Sequence, residues 1–96
     1  MHIISQKMLR TFWADHPPAE SPLRAWYKAV SRAVWADFAE VRALYPHADQ
    51  VGKFTVFNIG GNKYRLVAAV HYRGKRIYVR FIGTHRDYEK IDARTV

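Results

Sequence analysis

Along the first half of the chain the hydrophobic residues recur at helical spacings, and along the second half they alternate. His2-Ile3-Ile4 is short and β-prone, and Ser5 is placed to cap a helix carrying Met8, Leu9, Phe12 and Trp13, at spacings of one, three and one, which His16-Pro17-Pro18 ends. Ser21-Pro22 reads as an N-cap and first helical residue. Behind it Leu23, Trp26, Val30 and Val34 follow at spacings of three, four and four, the stripe of a helix with one face buried. Asp37 and, three residues on, Glu40 make a capping-box pattern for a short third helix with Phe38, Val41 and Leu44, stopped by Pro46. Tyr45 to Asp49 reads as a loop.

After residue 52 the period falls to two, and Phe54 to Ile59, Lys63 to Arg73 and Arg76 to Thr84 read as three strands of an antiparallel meander. Gly60-Gly61-Asn62 and Gly74-Lys75 separate them. Taking Gly74-Lys75 as a two-residue hairpin loop sets Arg73 opposite Arg76, His71 opposite Tyr78, Ala69 opposite Arg80 and Arg65 opposite Thr84. One face then carries Lys63, Arg65, His71, Arg73, Arg76, Tyr78 and Arg80. The other carries Tyr64, Leu66, Ala68, Val70, Ile77, Val79 and Phe81. The expected architecture is α+β: a single domain over residues 1–96, with a short N-terminal strand and two to three helices packed on one face of a three- to four-stranded antiparallel sheet.

Charge sharpens that picture. The formal net charge of the 96 residues is +8. Residues 1–50 hold six basic and five acidic side chains, whereas residues 51–96 hold ten and three, and no acidic residue falls between Val51 and Arg86. A solvated face ordinarily mixes signs, so a one-signed sheet favours a polyanion ligand over a surface that is merely soluble. Cysteine is absent, which excludes disulfides, zinc-thiolate sites and cysteine nucleophiles. The longest apolar run, Leu66 to Val70, is far below the roughly 20 residues of a membrane span. Gln6, Lys7 and Arg10 interrupt any signal-peptide core at the N-terminus, and a cytoplasmic location is expected.

Several familiar sites are rejected on residue type. Ser5, Ser21 and Ser31 are the only serines and all precede the sheet, so no Ser/His/Asp arrangement is suggested there. The five histidines have no HxH or HExxH spacing, and no metal or other cofactor is expected. Gly60-Gly61 opens a strand and lacks a following Lys-Ser/Thr, so it is a turn. What remains is Arg65, Arg80, His85, Tyr88 and Lys63, with Asn58 and Asn62 beside them at one end of the meander. RNA cleavage without metal needs a base for the 2′-hydroxyl, cations for the pentacovalent phosphate and an acid for the 5′-oxygen. Arginine suits the charge role through its planar fork, histidine carries protons near neutrality, and Tyr88 offers a ring or a phenol. Lys53, Asn58, Asn62, Arg73, Arg76 and Arg86 are the further residues expected to contact RNA.

Three stretches, Val56-Phe57-Asn58-Ile59-Gly60-Gly61-Asn62-Lys63-Tyr64-Arg65-Leu66-Val67, Tyr78-Val79-Arg80-Phe81-Ile82-Gly83-Thr84-His85 and Pro22-Leu23-Arg24-Ala25-Trp26-Tyr27-Lys28, resemble HigB toxins, as do Ile3-Ile4-Ser5 and Tyr88. The resemblance covers essentially the whole chain. It implies the RelE/ParE fold and a ribosome-dependent endoribonuclease, an mRNA interferase, that cuts mRNA in the ribosomal A site. It also implies a cognate helix-turn-helix antitoxin of HigA type, with room for a heterotetramer of the two. Arg65 matches the superfamily's phosphate-contacting arginine, His85 lies where related toxins place a proton-transferring Arg or His, and Tyr88 matches a C-terminal aromatic. The paired lysines that RelE carries on the preceding strand are missing, since that strand reads Phe54-Thr55-Val56-Phe57-Asn58. Lys53 or Lys63 could substitute, with His85 first and Lys63 second as general base. Two other readings stand beside this one: a ParE-like gyrase inhibitor, which shares the fold without the catalytic set, and a non-catalytic RNA-binding module.

Overall fold

The computed structural model describes residues 1–4 and 6–96, so the expected Ser5 cap lies outside the described residues. Strand β1 (His2–Ile4) precedes helix α1 (Gln6–Asp15), and a 3-10 turn at Pro17–Ala19 leads into α2 (Glu20–Arg32). Then come α3 (Phe38–Leu44), β2 (Asp49–Val51), β3 (Phe54–Ile59), β4 (Tyr64–His71), β5 (Arg76–Thr84) and α4 (His85–Glu89). Among the described residues no helix is long and apolar enough to cross a membrane.

The helices form where the apolar stripes place them. Leu23, Trp26 and Val30 of α2 are buried, as their spacing requires. The start of α2 differs from the expectation, because Ala19 is the N-cap and Ser21 and Pro22 lie in the first turn. The first four N–H groups of a helix have no intrahelical acceptor, so the missing N–H of Pro22 costs nothing there. The end of α2 differs too. The chain turns extended at Ala33, which leaves Val34 71% exposed and swings Trp35 into the core, stacked on Phe57 at 6.2 Å. In α3 the Asp37 carboxylate accepts from Glu40 N at 3.1 Å, but the Glu40 carboxylate accepts from Ala36 N, one residue before the cap. Val41 is buried in α3 and Leu44 is exposed.

The α+β architecture is as expected, but the sheet is mixed and has five strands where three or four antiparallel ones were expected, in the order β1-β5-β4-β3-β2. The meander β3-β4-β5 is antiparallel, β1 joins parallel to β5, and Asp49–Val51, starting at the last residue of the expected Tyr45–Asp49 loop, forms an edge strand on β3. Helices α1, α2 and α3 cover one face, where Tyr64, Leu66, Ala68, Ile77 and Val79 pack as expected against Leu9, Leu23, Trp26 and Val41. Trp26 meets Phe57 edge-on at 5.4 Å.

The β4–β5 register corrects the sequence reading. His71 pairs with Arg76, so the loop is Tyr72 to Lys75 and the strand stops short of Arg73 and Lys63. Lys75 takes a left-handed φ of 55°, and its ammonium donates to the Trp35 carbonyl at 3.0 Å. Ala69 faces Tyr78 instead of Arg80, a shift of two that preserves the facing of this half of the hairpin. Beyond it Ala68 pairs with Val79 but Val67 with Phe81, so Arg80 is the extra residue of a β-bulge. The bulge rotates the rest of β5 by one position. Phe81, expected among the helices, lies on the opposite face with Phe54, Val56, Val67 and Ala93, against which Tyr88 and Val96 also pack. That face is therefore apolar in its centre and basic only at its rim.

Candidate functional site

The rim is best built where β3, β4 and β5 end together. Arg65 on β4 lies between Asn58 on β3 and Gly83 on β5. Its guanidinium is held over the preceding turn: Nη2 donates to Asn62 Oδ1 at 3.1 Å, and Nη1 reaches the carbonyls of Tyr64 and Asn62 at 3.3 and 3.5 Å. Three neutral acceptors fix the fork without neutralising it. Among the described residues Arg24 is the only arginine or lysine within ion-pair distance of a carboxylate, so the charge of Arg65 is uncompensated. Gly83, its partner on β5, leaves room for the Phe81 ring and the start of α4, since a Cβ there would sit 2.7 Å from the Phe81 ring and 3.0 Å from Asp87 Cβ.

One step further along the pair of strands, His85 N donates to the Lys63 carbonyl at 3.0 Å, which brings the lysine and the histidine side by side next to Arg65. Here β5 turns into α4 through a capping box. Thr84 Oγ1 accepts from Asp87 N at 3.1 Å, and Asp87 Oδ2 accepts from Thr84 N at 3.2 Å. Hydrogen bonding to the Thr84 backbone N–H and then to its hydroxyl holds the Asp87 carboxyl below its ordinary value, with smaller contributions from Lys90 and His16. The box fixes the direction of α4, and with it His85 at the first helical position. The imidazole is half exposed, and Nε2 lies 2.8 Å from Glu89 Oε1, one turn on.

The other expected site residues fall elsewhere on the rim or under it. Arg80 is three residues along β5 from Gly83, about 10 Å, where Nη2 donates to the Val96 carbonyl at 3.1 Å and the guanidinium lies 5.7 Å over the Phe54 ring. Lys53 sits over the same ring at 5.5 Å. Those two form a separate basic spot. Arg73 and Arg76 are at the hairpin end of the sheet, about 20 Å from Arg65 by strand rise. Arg86 is exposed on α4, and Tyr88 leans on the second apolar cluster. Arg65, Lys63, His85, Asn58 and Asn62 are brought together; Arg80, Lys53, Arg73 and Arg76 are not.

Sequence reasoning missed three features of this site. Glu89 could have been read from its spacing of four from His85. The clearance at Gly83 depends on the bulge, which no local pattern announced. A cleft of about 420 Å³ beside Asn62, between the α3–β2 loop (Tyr45, Pro46, His47) and the β3–β4 turn, is a contact between segments far apart in the chain. Burial in its wall pushes the Tyr45 phenol above its ordinary value, so the ring there is neutral.

Comparison with known proteins adds an independent finding. The family described as HigB_toxin, RelE-like toxic component of a toxin-antitoxin system, matches residues 19–91. The chain is 30% identical over 92 residues to the mRNA interferase toxin HigB of Escherichia coli, covering 93% of this chain and 88% of that protein. The mRNA interferase HigB of Shigella flexneri is similar to the same extent, and a further Escherichia coli mRNA interferase HigB is 28% identical over 94 residues, 95% of this chain and 91% of its own length.

Proposed function

The chain belongs to the HigB family of RelE-like toxins, the toxic components of toxin-antitoxin systems, and from that premise we propose that it is an endoribonuclease that cuts mRNA at the Arg65 rim. The observation that carries the reading is the Arg65 guanidinium, held by Asn62 with no carboxylate among the described residues to neutralise it, next to the Lys63–His85 backbone pairing. Such a fork bonds two oxygens of one phosphate, and it is preorganised before RNA arrives. The reaction needs no group beyond the substrate. A base, His85 first and Lys63 second, takes the 2′-hydroxyl proton; the 2′-oxygen forms a bond to phosphorus; the phosphorus to 5′-oxygen bond breaks; and a protonated group returns a proton to the leaving oxygen. The products are a 2′,3′-cyclic phosphate and a 5′-hydroxyl, and the net proton count is unchanged.

Arg65 stabilises the charge on the pentacovalent phosphate, and the remaining basic rim, Arg86 included, draws in the backbone. Its partner is an antitoxin. For the finer setting, we take the substrate to be mRNA in the ribosomal A site, the location cytoplasmic, and the antitoxin a helix-turn-helix protein of HigA type. Cleavage mapped on transcripts during induced expression tests the reading. Wild-type protein yields new 5′-hydroxyl ends, and Arg65→Ala and His85→Ala relieve growth arrest while remaining folded; toxicity retained in both would sink the assignment. Inhibition of DNA supercoiling without mRNA cuts would favour the gyrase alternative.

A further inference from the structure

We propose that the cleft beside Arg65 is a base-reading subsite, which holds an unpaired nucleobase next to the phosphate that Arg65 grips; the proposal rests on the ribonuclease reading above. Two segments build it. The α3–β2 loop supplies Tyr45 and His47, the β3–β4 turn supplies Gly61 and Asn62, and Asn58 lies between them. Asn62 belongs to both places, because the residue that lines the cleft also accepts from Arg65 Nη2 through its Oδ1. A strand whose phosphate meets the guanidinium therefore has its neighbouring nucleoside at the mouth of the cleft.

The lining says what the cleft takes. It carries no carboxylate, lysine or arginine, although the rim around it is basic. A phosphate would find no fixed charge inside. A base offers what the lining matches: two apolar faces for the rings of Tyr45 and His47, and an edge of donors and acceptors for side-chain amides. Asn62 spends its carbonyl oxygen on Arg65 and keeps its N–H donors, while the half-buried Asn58 brings both a donor and an acceptor. At about 420 Å³ the cleft falls within the range of small-molecule sites, roughly 300–1,000 Å³. Gly61, at φ +70° with no atom within 4 Å of where a Cβ would point, leaves one wall as bare backbone, open to an incoming strand.

The test separates the subsite from the activity. Cut sites are mapped by sequencing 5′-hydroxyl ends after induction of wild-type, His47→Ala, Asn58→Ala, Asn58→Ser and Arg65→Ala proteins, with circular dichroism to verify folding. His47 is exposed, so its truncation leaves the core untouched. The expected result is a base preference at one position flanking the wild-type cut. In the His47 and Asn58 variants the ratio between the best and worst base falls roughly fivefold or more, the discrimination expected of one stacked or hydrogen-bonded base. An unchanged base distribution in the folded variants, or no preference in wild type, overturns the subsite and leaves the ribonuclease reading standing. Absence of cuts by the wild-type protein overturns both, and loss of cutting in Arg65→Ala with an unchanged base preference in the His47 and Asn58 variants supports the ribonuclease reading without the subsite.

Discussion

Replacing Arg65 by alanine separates a catalytic role from a structural one, because the two predict effects of different size. Among the described residues the guanidinium makes three hydrogen bonds, two to the exposed turn residue Asn62 and one to the carbonyl of Tyr64 at the start of β4, and no ion pair. The Asn62 groups recover their hydrogen bonds from water and the Tyr64 bond is a long one at 3.3 Å, so the loss of stability is below about 1 kcal/mol, a fall in Tm of no more than about 8 °C for a domain of this size. For the reaction the same cation stands about 4 Å from the phosphate it serves, and at an effective dielectric constant near 20 that is about 4 kcal/mol of attraction. Losing one preorganised donor to a developing anion costs about 10²- to 10³-fold in rate. Arg65→Lys keeps the charge but not the fork and falls between alanine and wild type. The assay is the rate of appearance of 5′-hydroxyl ends alongside a thermal melt of the same preparation. Cleavage by a folded Arg65→Ala within tenfold of wild type would refute the assignment, and an activity loss matched by a collapse in Tm would make Arg65 a structural residue.

Gly83→Ala forces a Cβ to within 2.7 Å of the Phe81 ring, and the overpacking costs about 1–3 kcal/mol while displacing the strand opposite Arg65; a melt and a cleavage rate measured together should both fall. Asp87 is a carboxyl whose folded value is depressed, so its contribution to stability is full above the unfolded value and is lost as pH falls through the folded one. Stability of wild type and Asp87→Asn compared by denaturant titration should therefore differ above about pH 5 and converge below the ordinary carboxylate range near 3.9; a constant difference across that range would contradict the capping-box account. Arg86→Ala should weaken RNA binding about equally for all sequences and lower the slope of log affinity against log salt by about 0.7, the value for one single-strand phosphate contact. An unchanged slope would remove Arg86 from the RNA path.

What the sequence made legible and what it hid differ by the range of the interactions involved. Leu23, Trp26 and Val30 share a helical face by spacing alone, and Asp37 caps α3 through an amide three residues away, so both were readable locally. The ends of α2 were misjudged by a residue or two because Ser21-Pro22 suits both a cap and a first turn. The hairpin loop is another matter. Gly74-Lys75 is compatible with two-residue and four-residue closures, and the choice is made by β1, whose His2 N–H donates to the Lys75 carbonyl at 2.8 Å from the far end of the chain. Site residues followed the same rule. The neighbours of Arg65 along β4 and the adjacent turn lie beside it in the structure, whereas Arg80, four residues along β5 from the expected partner of Arg65 and three from the observed one, stands apart from it in either register.

The bulge at Arg80 explains why the site is on the rim. Without it, Phe81 would point with Ile77 and Val79 toward the helices, and the second face would have no aromatic centre. With it, Phe81 joins Phe54, Val56 and Val67, Ala93 closes over them, and the middle of the face is too apolar to bind a phosphate chain. The same shift sets Gly83 opposite Arg65, the one residue whose lack of a side chain leaves room there for the Phe81 ring and Asp87. A net charge of +8 would attract RNA to almost any part of this surface. Covering the centre leaves the phosphates only the edges, and of these the edge at Arg65 is the one where the guanidinium is held by its own turn and the backbone pairs Lys63 with His85 next to it.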